Sequence, residues 1–147
     1  MQQGYTGPEV CKITGISYRQ LDHWTSTKLI SASIRNIKGS GFHRIYSFND
    51  IVLVMLVNKL RSAGISLQQI RIALKNISKI LGKNTNISDV SVFSDGTSIY
   101  VLTENDQMID LLKKGQAVFG ISLGPVHTET EAEILSLYPD KISSANK

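Results

Sequence analysis

Apolar residues recur at helical spacing through the first half of the chain and begin to alternate soon after residue 88. Thr6-Gly7-Pro8-Glu9 places an N-cap threonine before a first-turn proline, with a glutamate three residues on. That pattern predicts a short helix through about Thr14, broken by Gly15. Ser17, with Gln20 as a capping partner, opens a second helix that carries Leu21 and Trp24 on one side and runs to about Thr27. Ser47 and Asp50 repeat the capping pattern ahead of a third helix, about Asn49 to Ala63. It is apolar nearly all round its first turns, which marks it as the central core helix. Gly64 suits a left-handed C-terminal position. Ser66 and Gln69 then cap a fourth helix, in which Ile70, Leu74 and Ile77 share a face and which ends near Leu81.

Between the second and third helices the pattern changes. Ile34 to Lys38 and His43 to Tyr46 read as strands flanking Gly39-Ser40-Gly41, a small hairpin. Residues 82–88 are polar and contain Gly82, Asn84, Thr85 and Asn86, which marks a linker. Beyond it, Val90 and Val92 face Ile99 and Val101 across Asp95-Gly96, a two-residue hairpin signal. Thr103 to Lys114 reads as a helix ended by Gly115, and Val118 to Leu123 as a strand. Val126 to Leu137 fits either strand or helix. If extended, its alternating Glu129, Glu131 and Glu133 form one solvated face. The fold class is therefore α+β: a mostly helical unit with a hairpin over 5–81, a linker over 82–88, a small α+β domain over 89–140 and a disordered tail over 141–147.

Charge sharpens this division. The net charge of +4 in 147 residues hides an asymmetry. Residues 1–81 carry 11 Lys/Arg against 3 Asp/Glu, a net of +8, and residues 82–147 carry 5 against 9, a net of −4. A basic half beside an acidic half points to a polyanion-binding unit joined to something else. The single cysteine, Cys11, lies between Val10 and Ile13 and reads as a small core residue. No disulfide, CxxC pair or Cys/His cluster is available, which fits a reducing, cytoplasmic location. The longest apolar run, Ile51 to Val57, is seven residues, far below the roughly 20 that span a bilayer. Met1 to Gly4 offers no basic segment leading into an apolar core, so no secretory signal is expected.

An enzyme is not expected, because no nucleophile sits with a base and no metal cluster or cofactor loop is visible. Gly115-Gln116-Ala117-Val118-Phe119-Gly120 lacks the Gly-Lys-Ser/Thr of a phosphate loop and reads as a helix end running into a buried strand. His127 has no partner at ligand spacing. No cofactor and no metal are implied.

Two short helices separated by Gly15-Ile16-Ser17 are the core of a helix-turn-helix, whose second helix presents its N-terminal residues to base edges in the major groove. With Leu21 and Trp24 turned inward, Tyr18, Arg19, Asp22, His23 and Ser26 face outward. Arg19 and Tyr18 have the chemistry for guanine, thymine methyl or phosphate, and His23 for phosphate or base. Tyr18 is equally suited to packing as a half-buried aromatic. Asp22 is unfavourable near phosphate unless it pairs with an arginine or accepts from cytosine. The hairpin gathers Arg35, Lys38, His43 and Arg44 about a glycine-rich tip, a basic wing suited to straddling the phosphate backbone.

Four stretches together carry a family resemblance: Gly15-Ile16-Ser17-Tyr18-Arg19-Gln20-Leu21-Asp22-His23-Trp24; Lys28-Leu29-Ile30; Gly41-Phe42-His43-Arg44-Ile45-Tyr46-Ser47; and Ser62-Ala63-Gly64-Ile65-Ser66-Leu67-Gln68-Gln69-Ile70. In order and spacing, over about residues 5–77, the chain resembles the MerR family of bacterial transcription regulators. The resemblance implies a winged helix-turn-helix with a second helix pair behind the wing. It also implies that Tyr18 and Arg19 lie on the recognition helix and that Arg44 and Tyr46 occupy wing positions, Arg44 on phosphate and Tyr46 either there or packed beneath the wing. Two departures stand out. After the leucine of the recognition helix the family commonly has an arginine and two aromatics, where this chain has Asp22, His23 and Trp24. The family's usual activators continue into a long dimerising helix, whereas the helical pattern here stops near Leu81. Cysteines of the metal-sensing members are absent.

These readings converge on a sequence-specific regulator of transcription that binds duplex DNA. The DNA-binding residues would be Ser17, Tyr18, Arg19, His23, Arg35, Lys38, His43, Arg44 and Tyr46. The expected assembly is a homodimer formed through residues 89–140, with head-to-tail binding on direct repeats as the competing geometry. The alternative is a sensor or interaction module whose C-terminal domain binds a small-molecule effector or a protein partner. No membrane contact is expected.

Overall fold

The computed structural model describes residues 4–36, 44–81, 85–95, 97–103 and 119–141. Strand β1 (Tyr5–Thr6) leads into helix α1 (Gly7–Thr14) and then α2 (Tyr18–Ser26). Strand β2 (Ile45–Tyr46) precedes α3 (Phe48–Ser62) and α4 (Leu67–Leu81). A single 3-10 turn at Ile87–Asp89 opens the remainder: β3 (Ser91–Ser94), β4 (Ile99–Leu102), β5 (Phe119–Ser122) and helix α5 (Leu123–Leu137).

The capping chemistry foreseen in the sequence sets the helix starts. Thr6 and Glu9 form a reciprocal box at α1, with Thr6 N donating to Glu9 Oε1 at 2.9 Å and Glu9 N to Thr6 Oγ1 at 3.3 Å. Gly15 ends α1 at φ 82°, its N–H donating to the Cys11 carbonyl. Ser17 Oγ accepts from Gln20 N at 3.0 Å. At α3, Ser47 and Asp50 bond reciprocally, and Asp50 Oδ2 also accepts from Ser33 N at 2.8 Å and Ser33 Oγ at 2.6 Å. One buried carboxylate thus caps α3 and anchors the segment before the wing. Helix α3 is the core helix expected, with Ile51, Val52, Val54, Leu56, Val57 and Leu60 all fully buried.

Packing divides the chain into two compact units that do not follow sequence order, residues 1–58 with 128–147, and residues 59–127. The sequence-based limits at 81 and 89 both fall inside the second unit. In that unit β3 is the central strand of an antiparallel sheet ordered β4-β3-β5, pairing Val92 with Val101 on one side and with Ile121 on the other. Helix α4 lies against β4, burying Ile70, Ala73, Leu74 and Ile77. In the first unit, Lys141 Nζ donates to the Gly4 carbonyl at 2.6 Å, pairs with Glu9 Oε1 at 3.3 Å and sits 4.8 Å from the centre of the Tyr5 ring.

Several expectations need correction. The ambiguous segment 126–137 is helical, so Glu129, Glu131 and Glu133 do not form a strand face. Leu123, Val126, Thr130 and Ile134 are its buried positions, a helical spacing that the polar Thr130 obscured. The β3–β4 turn closes one residue later than an Asp95-Gly96 turn would. Asp95 N donates to the Ser98 carbonyl, while Asp95 Oδ1 accepts from Thr97 N and Ser98 N and so ties the aspartate into the ladder's end. Those two N–H donors hold the Asp95 carboxyl below its ordinary pKa. Cys11 is half-buried, not fully enclosed, and burial pushes its thiol up. His127 is likewise half-buried. The helix expected over 103–114 and the glycine-rich stretch from Gly115 lie almost wholly outside the described residues.

The Lys141 contacts give a first test. Lys141→Ala removes a carbonyl bond, a half-buried ion pair and a cation–π contact, and should lower unfolding stability by about 1–2 kcal/mol. Urea denaturation checks this, with the midpoint falling and the slope unchanged.

Candidate nucleic-acid interface

Helix α2 owes its orientation to three buried side chains, Leu21, Trp24 and Thr25. With that edge against the core, the helix turns Tyr18, Arg19, Asp22, His23 and Ser26 outward, and all five are exposed. Ser17 is exposed at the N-terminus, its hydroxyl committed to the cap. Tyr18 keeps 44% of its surface, which favours its reading as a surface group over a packing aromatic. The helix stops cleanly because Lys28 takes a left-handed φ of 66°, letting Leu29 N and Ile30 N both donate to the Trp24 carbonyl.

The root of the expected wing is present. Arg35 and Ile45 face each other in a reciprocal antiparallel bridge, Ile45 N donating to Arg35 O at 2.7 Å and Arg35 N to Ile45 O at 3.1 Å. Strand β2 pairs on its other side with β1, Tyr5 opposite Tyr46. The side chain of Arg35 is exposed. Lys38 and His43 lie outside the described residues.

Arg44 and Tyr46 point the other way. Tyr46 is 1% exposed, and its hydroxyl lies 2.8 Å from Thr25 Oγ1, which itself donates to the Leu21 carbonyl. Of the two places open to Tyr46 in the sequence, the structure puts it in the core. The Arg44 side chain is also buried, with Nη1 bonded to Asp22 Oδ1 at 2.6 Å and Nη2 to Ser26 Oγ at 3.2 Å. Asp22 therefore has an arginine partner, the condition under which the sequence reading allowed it on this helix. Sequence reasoning missed Thr25, the buried threonine next to Trp24. The available signal was its place one turn after Leu21, on the apolar edge of α2.

Burial raises the pKa of Tyr46, opposed in part by the Thr25 hydrogen bond and the Arg44 charge. Burial raises Tyr5 as well, reinforced by the Glu9 charge. Among the described residues, no group of three His, Cys, Asp or Glu side chains is placed to hold a metal.

Residues 5–77 match the MerR HTH family of regulatory proteins. Over 138 residues the chain is 40% identical to an uncharacterized HTH-type transcriptional regulator of Mycobacterium tuberculosis (strain H37Rv), an alignment covering 94% of this chain and 60% of that relative. A regulator of Mycobacterium bovis with the same description matches to the same extent. The nodulation protein NolA of Bradyrhizobium elkanii is 33% identical over 73 residues, covering 50% of this chain and 32% of that protein. The chain thus spans about three-fifths of the length of the mycobacterial relatives. Those two alignments extend well beyond residue 77, so the likeness includes the second unit.

Two measurements follow from the buried pair. Thr25→Val removes the hydroxyl that the buried Tyr46 phenol bonds and should cost about 1–3 kcal/mol of stability. With Tyr46→Phe already in place the same change should cost less, as a double-mutant cycle by urea denaturation would show. Because the folded state raises the Tyr5 and Tyr46 pKa values, it holds these protons to higher pH than the unfolded chain. Their contribution is complete below about pH 10 and is lost as pH rises through the folded-state values. Circular dichroism from pH 8 to 12 should show unfolding in step with late-titrating phenols followed by ultraviolet absorbance.

Proposed function

The chain belongs to the MerR family of helix-turn-helix regulatory proteins, and from that premise we propose that it is a sequence-specific, duplex-DNA-binding regulator of transcription. The observation that carries the reading is the sidedness of α2. Leu21, Trp24 and Thr25 are buried while Tyr18, Arg19, Asp22, His23 and Ser26 are exposed, which presents a polar, hydrogen-bonding face of the width a major groove admits. The net charge of +8 over residues 1–81 supports a polyanionic partner.

In this reading α2 enters the major groove, Arg19 and Tyr18 reach base edges or flanking phosphates, and Arg35 with the wing residues Lys38 and His43 lies along the backbone. Ser17, at the helix N-terminus, sits where phosphate oxygens are favoured. We assign dimerisation to residues 89–140, so that two recognition helices address half-sites related by a two-fold axis. A regulator of this kind acts in the cytoplasm. Among the described residues, the elements that follow α4 are the Ile87–Asp89 turn and β3, not the long dimerising helix of the family's usual activators. That change of course supports a dimer contact of a different kind.

Selection of the purified protein on random and genomic duplex pools at about 150 mM salt tests the proposal, since nonspecific electrostatic binding weakens there. Enrichment of one motif is expected, and its symmetry reports the subunit arrangement. Loss of all binding with salt, and no enriched motif, would refute it. On the selected duplex, Arg19→Ala should weaken binding about tenfold or more. If Arg19 meets a phosphate, the same change should make the slope of log affinity against log salt shallower by about 0.9.

A further inference from the structure

Arg44 was expected on phosphate, yet its surroundings suit another task. Its side chain retains 9% of its surface, whereas that of Asp22 retains 52%. Both terminal nitrogens are committed to α2, Nη1 to Asp22 and Nη2 to Ser26, and Nε is buried with no partner among the described residues. Asp22 and Ser26 are one helical turn apart on α2 and so present their side chains side by side. A planar guanidinium spans two such acceptors, as an ammonium group does not.

Tyr46 repeats the arrangement two residues further on. Side chains at i and i+2 of an extended segment share a face, and here that face meets α2. Arg44 takes Asp22 and Ser26, and Tyr46 takes Thr25. The root of the wing is therefore fastened along a full turn of the recognition helix by two adjacent side chains.

We propose that Arg44 is a positioning residue and not a phosphate ligand: through Asp22 and Ser26 it sets the orientation of the recognition helix against the wing. The proposal rests on the DNA-binding reading above. It inverts the part of Asp22, which becomes a support for recognition where it had looked like a repulsive neighbour of phosphate. The two roles of Arg44 predict opposite effects at Asp22. If Arg44 positions α2, freeing it from Asp22 harms discrimination between sequences. If Arg44 binds phosphate, Asp22 competes with DNA, and its removal improves binding.

The test uses the full chain on its selected duplex and on a random-sequence duplex of equal length, over a salt series, with thermal melts confirming that each variant is folded. D22N is expected to lower the ratio of specific to nonspecific affinity about tenfold, because it leaves the buried guanidinium without its charged partner. The charge-neutral double variant D22N/R44Q should lose a similar factor and keep the wild-type salt slope. S26A removes a single bond, keeps the ion pair and should lower the ratio by a smaller factor, so it serves if the others do not fold. A slope shallower by about 0.9 in the double variant, the signature of one lost phosphate contact, would overturn the proposal. So would a D22N protein that binds its selected duplex more tightly than wild type, or an unchanged ratio in both D22N and S26A. A wild-type chain that discriminates no duplex would instead refute the DNA-binding reading, and this proposal with it.

Discussion

Burial of Leu21, Trp24 and Thr25 along one edge of α2 decides what the opposite edge offers to a partner. A nine-residue helix has too few internal hydrogen bonds to hold itself in water, so its face is chosen by what it buries. The N-cap at Ser17 sets where the helix starts, and the left-handed turn at Lys28 sets where it stops. Between those limits the apolar edge fixes the rotation about the axis. Tyr18, Arg19 and His23 are exposed because three other residues are not.

The wing root depends on the same helix. Strand β2 is two residues long, and pairing that short contributes little alone. Its place is defined by β1 on one side, by Arg35 on the other, and by the side chains of Arg44 and Tyr46 reaching back to α2. Asp50 adds a fourth restraint by binding Ser33 and Ser47 on either side of the wing with a single carboxylate oxygen. The polar groups buried in this unit thus hold together elements that have little apolar surface of their own.

Much of this was legible in the sequence because capping and helical periodicity are local signals. The starts of α1, α2, α3 and α4 each carried a hydroxyl residue followed three positions later by a partner, and each helix appears where that signal put it. The exposed face of α2 followed directly from locating Leu21 and Trp24. What escaped was nonlocal. Nothing near Arg44 announces that its partners lie 22 and 18 residues earlier, and a basic residue beside a glycine-rich turn reads most simply as a phosphate ligand. Helix α5 escaped for a different reason. A buried threonine stands in its apolar series, and its alternating glutamates imitate the period of a strand.

The closure of Lys141 on Gly4, Tyr5 and Glu9 also bears on how the protein comes into being. Contacts spanning more than 130 residues close large loops, and such topologies fold more slowly than helical bundles of local contacts. On the ribosome, where synthesis proceeds at about 5–20 residues per second, the helix-turn-helix emerges early and waits for the segment that completes its own packing unit. A nascent chain thus carries an unfinished N-terminal unit until residue 141 has cleared the exit tunnel, several seconds after α2 itself.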